Sequence, residues 1–105
     1  MTFETFWKWL SREERTIRTL GRRSEFQIHA VGEDGWVRSS RGKRHDFTKK
    51  VAQQTWNRFR NLPENERLMT GRYTDPIWAA CPNRICCPYI AAAIRDRLGG
   101  NGVAE

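Results

Sequence analysis

Between residues 25 and 47 the side chains change character with a period of two, and that period leaves few architectures open. In "EFQIHAV", Phe26, Ile28 and Ala30 alternate with Gln27, His29 and Val31, the pattern of a strand with one face on a core. "GEDG" then supplies turn residues ahead of "WVRSS", and Arg41 with Gly42 centres a second turn that returns residues 43–47 as another strand. A three-stranded antiparallel meander is expected.

Helical periods flank this segment. Phe3, Phe6, Trp7, Leu10, Ile17 and Leu20 predict one amphipathic helix over residues 3–20, capped by Thr2 and stopped by Gly21. Trp9 lies outside that stripe and is read as a contact with the sheet or with a second subunit. Val51, Ala52, Thr55, Trp56, Phe59 and Leu62 share one side of a second helix, with Asp46 or Thr48 as its cap and Pro63 at its end. Pro88 suits the first position of a third helix, in which Ile90, Ile94 and Leu98 form a stripe and Ala91 to Ala93 permit close packing. Between the last two helices, "ENERLM" reads as a short helical turn, "TGRYTDP" as loop, and "IWAACPNRICC" follows no single period.

The expected class is therefore α+β: an N-terminal helix, the meander, and two further helices packed on one sheet face. At 105 residues, with ten Phe and Trp, the chain suits one core, assigned to residues 1–98, with "GGNGVAE" as a flexible tail over 99–105. No run approaches the roughly 20 apolar residues of a membrane span, and the acidic residues of "MTFETFWKWLSREE" do not suit a signal peptide. Cys81, Cys86 and Cys87 form an odd set within seven positions, a poor disulfide framework, so a cytoplasmic location is expected.

Charge is the remaining constraint, because the formal net charge of +7 is unevenly distributed. Residues 1–23 hold six bases and three acids, 24–37 three acids and no base, 38–60 eight bases and one acid, and 61–105 five of each. A solubilising surface mixes its signs; this pattern points to a polyanion-binding face. In "RSSRGKRHDFTKK", Arg38, Arg41, Lys43, Arg44, Lys49 and Lys50 are placed to contact phosphates, and Gln53, Gln54, Asn57 and Arg60 on the next helix to reach bases. Arg12, Arg15 and Arg18 would extend the track. Lys49 and Lys50 in a first helical turn also oppose the helix dipole, a broken local rule that hints at function.

The expected function is non-enzymatic nucleic-acid binding, DNA before RNA, with the second helix in a major groove and the basic hairpin on the backbone. The alternative is a small interaction protein of a phage or mobile gene cassette, either a homodimer joined through exposed tryptophans or an inhibitor of a larger nucleic-acid machine. No cofactor is implied. Adjacent Cys86 and Cys87 in a C-x4-C-C spacing do not suit a metal site, "SSRGK" lacks the frame of a phosphate-binding loop, and the acids do not group as a nuclease needs. Cys87 falls where a helix N-cap is expected, which would lower its thiol pKa and makes it the first cysteine to test for reactivity.

Overall fold

The computed structural model describes residues 1–78 and 85–99. Helix α1 spans Phe3–Arg12, and the Thr2 hydroxyl accepts from the Thr5 amide at 3.2 Å as its N-cap. Phe3, Phe6, Trp7 and Leu10 are buried along one side. The expected helix stops eight residues early. Glu13 is extended (φ −164°, ψ 162°), and Arg15–Arg18 form a strand, β1, which brings the sheet to four strands where three were expected.

The reason lies in the backbone of the next strand. Strand β2 spans Glu25–Val31, and β1 pairs antiparallel with it, placing Arg15 opposite Ile28 and Ile17 opposite Phe26. A helix through residue 20 would leave that edge of β2 without hydrogen-bond partners. Thr16, Ile17 and Thr19 are β-branched and fit a pleated surface. Gly21 was expected to take the left-handed conformation; the β1–β2 turn puts it at Arg22 instead (φ 58°).

Strands β3 (Asp34–Ser39) and β4 (Arg44–Thr48) complete an antiparallel sheet in the order β1-β2-β3-β4. Gly32 (φ 63°) lies in the β2–β3 turn. In the second, the Gly42 amide donates to the Ser39 carbonyl at 2.8 Å and Gly42 itself is left-handed (φ 80°), so the turn falls where "RGK" places it. Ile17, Phe26, Ile28, Ala30, Gly35, Val37 and Phe47 are buried on one face of the sheet. All the helices pack there.

Helix α2 spans Lys49–Asn61, with Thr48 rather than Asp46 as its cap, and buries Ala52, Thr55, Trp56 and Phe59. Two 3-10 turns follow at Glu64–Glu66 and Thr70–Tyr73, the second in a segment expected to be loop. Arg67 donates to the Leu62 and Arg60 carbonyls, covering the end of α2. The buried Tyr73 hydroxyl donates to the Arg67 carbonyl at 2.6 Å, and burial holds its pKa above the ordinary phenol value.

Helix α3 spans Cys87–Arg97, so Pro88 occupies its second position and Cys86 is the N-cap. Ile90 through Ile94 are fully buried, and Tyr89 rests on Phe26 with ring centroids 4.7 Å apart. Arg95, only 2% exposed, donates to the carbonyls of Arg18 (2.6 Å) and Thr19 (3.0 Å), which ties α3 to the end of β1. The expected tail over 99–105 lies outside the described residues except for Gly99.

One close approach fixes how β3 and β4 meet the helix layer. A Cβ on Gly35 would stand 2.5 and 2.7 Å from Phe47 ring carbons, because that ring lies across the glycine. Gly35→Ala is expected to lower stability by about 1–3 kcal/mol through overpacking. Gly71→Ala, whose Cβ meets nothing within 4 Å, should stay within about 0.5 kcal/mol of the parent. Urea unfolding of both variants checks the pair.

Candidate nucleic-acid interface

Because strand side chains alternate, burying Val37 and Phe47 turns Trp36, Arg38, Arg44 and Asp46 to the other face of the sheet. Among the described residues, its strand side chains are exposed except for the half-buried His29 and Trp36, and α1 touches it where His29 meets the Leu10 carbonyl. Its side chains fall into cross-strand rows: Thr16, Gln27, Arg38 and Arg44 in one, and His29, Trp36 and Asp46 in the next. Arg18 lies on the same face, opposite Glu25.

Arg38 and Arg44 are direct neighbours on adjacent strands, an arrangement of like charges that costs stability. Trp36 offsets part of that cost. The guanidinium carbons of Arg38 and Arg44 stand 5.7 and 5.2 Å from the centre of its ring, within the range of cation–π attraction. Arg44 also donates to Asp46 at 3.1 Å. On its other side, the half-buried indole meets the His29 ring edge-on at 6.1 Å. His29 Nδ1 lies 3.0 Å from the Leu10 carbonyl, an obligate acceptor, so Nδ1 carries the proton and the ring is held in place.

Two depressions flank the arginine pair. One, of about 540 Å³, is lined by Val31, Asp34, Trp36, Arg44, Asp46 and Thr48. The other, of about 220 Å³, is lined by Thr16, Glu25, Gln27, Arg38, Ser39 and Ser40. Arg41 and Lys43 are exposed at the hairpin tip, and neither they nor Arg38 have a carboxylate within ion-pair distance among the described residues.

The other residues expected at the site lie elsewhere. Lys49 is engaged by Glu4 (3.2 Å) and Glu33 (3.7 Å), with its ammonium 5.9 Å from the Trp7 ring centre. The apparent conflict with the helix dipole therefore has a structural explanation. Lys50 is exposed, Gln54 is half-buried, and Gln53 donates to Asn57 at 3.2 Å. Arg60 covers Trp56 at 5.7 Å. These groups belong to α2, which packs on the opposite face of the sheet, so the expected contiguous surface of hairpin plus helix is divided by the sheet.

Arg12 is exposed at the end of α1. Arg15 is committed to the Trp9 carbonyl (3.0 and 2.8 Å) and lies 4.0 Å from the centre of the Trp9 ring, which also stacks on Phe6. Trp9 is thus a contact within the protomer. None of the five tryptophans is exposed: Trp7 and Trp56 are buried and the other three half-buried. The side chain that sequence reasoning missed is Trp36. Its signal was present, since Val37 directed inward places Trp36 and Arg38 together on the outer face.

No protein-family model matches this chain. No curated protein and no solved structure shows significant similarity to it either. What the fold and this face define is an α+β domain with helices on one side of a meander and an arginine–tryptophan cluster on the other.

Among the described residues, no group of three or more His, Cys, Asp or Glu stands close enough together to hold a metal ion. Cys86 and Cys87 are both buried, the latter completely, and Cys81 lies outside the described residues. Burial pushes the Cys86 thiol up to about 12, with the neighbouring Cys87 and Asp46 adding to the shift. The helix-start activation expected for Cys87 meets a side chain with no access to solvent. In the native protein at neutral pH, alkylation is expected to leave Cys86 and Cys87 unmodified, whereas denaturant should expose both. Mass analysis of the tryptic peptide beginning at Ile85 checks this and separates these thiols from Cys81.

Proposed function

We propose that this protein binds nucleic acid without catalysing a reaction, through the open sheet face and the β3–β4 tip. The observation that carries the reading is the pair Arg38 and Arg44, adjacent on an uncovered face with Arg41 and Lys43 at its rim. Neighbouring cations that weaken the fold are explained by an anion that neutralises them. In this reading Arg18, Arg38, Arg41, Lys43 and Arg44 contact phosphates. The groups on α2, from Lys50 to Arg60, face away and are not part of the contact.

If all five cations engage, affinity should fall with salt at a log–log slope of about −3.5 on a single strand or about −4.5 on a duplex. Arg41→Glu/Lys43→Glu changes only exposed tip residues. It is expected to weaken binding at least tenfold and to make the slope shallower by about 1.5–2, while Arg12→Glu leaves both unchanged. Fluorescence anisotropy of labelled oligonucleotides across a salt series measures this. Equal, salt-insensitive signals from all three proteins would remove the proposal.

The same face favours a second reading. Glu25, Asp34 and Asp46 stand among its arginines, and Val31 is 59% exposed there. Two copies placed face to face would bring opposite charges together, as in a homodimer, and a partner protein of a larger nucleic-acid machine would find the same mixed surface. Sedimentation velocity separates the readings: the nucleic-acid reading expects a monomer without ligand, and the interaction reading expects a dimer that Arg38→Glu/Arg44→Glu dissociates.

A further inference from the structure

We infer that the ligand of the open face is a single strand of nucleic acid, with one base stacked at Trp36 and seated in the depression beside it. The inference rests on the proposed reading of this face as the nucleic-acid surface. It adds the form of the ligand and the position of a base.

Shape argues first. Most duplex readers insert a helix or a β-ribbon into a groove. Here the cations surround a four-stranded sheet face whose central aromatic is half sunk between its neighbours. Such a surface suits unpaired bases, which lie flat on aromatic side chains while the backbone follows the cations. The Trp36 ring is prepared for this role. His29 meets it edge-on and is itself anchored to the Leu10 carbonyl, which supports the indole from one side.

Charge separation then assigns the parts of a nucleotide. The larger depression has Asp34, Asp46, the Thr48 hydroxyl and Trp36 in its lining, together with Arg44, which is paired with Asp46 and so leaves Asp34, among the described residues, as the unpaired carboxylate there. Carboxylates repel phosphate but accept hydrogen bonds from base N–H groups. The base therefore belongs in this depression, and its phosphates belong on the ridge of Arg38 and Arg44 and at the tip with Arg41 and Lys43. A base that presents an amino group, such as adenine, guanine or cytosine, meets acceptors there. Uracil and thymine offer only their single N3–H, flanked by two carbonyl oxygens that the carboxylates repel, and are disfavoured.

The experiment compares single-stranded oligoadenylate, oligothymidylate and a hairpin duplex at one salt concentration, using deoxyribo- and ribo-adenylate arms to distinguish DNA from RNA. Oligoadenylate is expected to bind most tightly. Trp36→Ala should weaken it about tenfold with the salt slope unchanged, and Trp36→Phe should retain most of the affinity. The quenching of tryptophan fluorescence seen with the parent should be lost in Trp36→Phe while binding persists. This second readout holds even if Trp36→Ala is poorly folded. Salt-sensitive binding with duplex preferred, or with Trp36→Phe still quenched, would overturn the single-strand inference and leave nucleic-acid binding standing. No binding by any form would remove both.

Discussion

The structure depends on one constraint: a four-stranded meander has two faces, and this chain supplies a continuous apolar layer for only one of them. Ile17, Phe26, Ile28, Val37 and Phe47 meet the helices, and Gly35 gives up its side chain so that the Phe47 ring can lie across it. With a strand period of two, a shift of register by one residue would expose every one of these groups. The same rule that secures the core therefore presents Trp36, Arg38 and Arg44 to solvent. Core and candidate site are two sides of one alternation.

Buried polar groups hold the layers in register. Arg95 is a guanidinium taken almost wholly out of water, and burial lowers its pKa from the ordinary arginine value. Its bonds to the Arg18 and Thr19 carbonyls make that burial tolerable. Lys49 links the start of α2 to Glu4 on α1 and to Glu33 in the β2–β3 turn. Two cations that look like surplus charge in the sequence are thus parts of the scaffold. Arg15, spread over the Trp9 ring, is a third. The cations left for a partner are fewer than the sequence suggests, and Arg38, Arg41, Lys43 and Arg44 are gathered at one hairpin.

Much of the fold was legible. The meander of residues 25–47, its two turns, and the helices α2 and α3 follow from period, glycine placement and capping. The error at residues 13–20 has a specific origin: Ile17 and Leu20, three apart, fit a helical stripe by spacing, whereas the β-branched Thr16, Ile17 and Thr19 favour a pleated strand. Spacing and propensity disagree there, and pairing with the edge of β2 decides between them. For the candidate site, the cations near the hairpin were legible because they cluster in sequence. The amides of α2 were grouped with them because they follow closely in the chain, although a strand leading directly into a helix that packs on its inner face carries that helix to the far side of the sheet.

The sequence by itself determined which residues face the core, where the chain turns, and that positive charge gathers around residues 38–50. These are local matters, governed by backbone dihedrals and by a periodicity visible within a few residues. Only the tertiary structure decided which cations remain free for a partner, that Trp36 stands beside the Arg38–Arg44 pair, and that α2 lies across the sheet from them. Ion pairs such as Lys49 with Glu4 join residues 45 positions apart, and solvent exposure belongs to a surface that exists only once the helices have covered one side of the sheet.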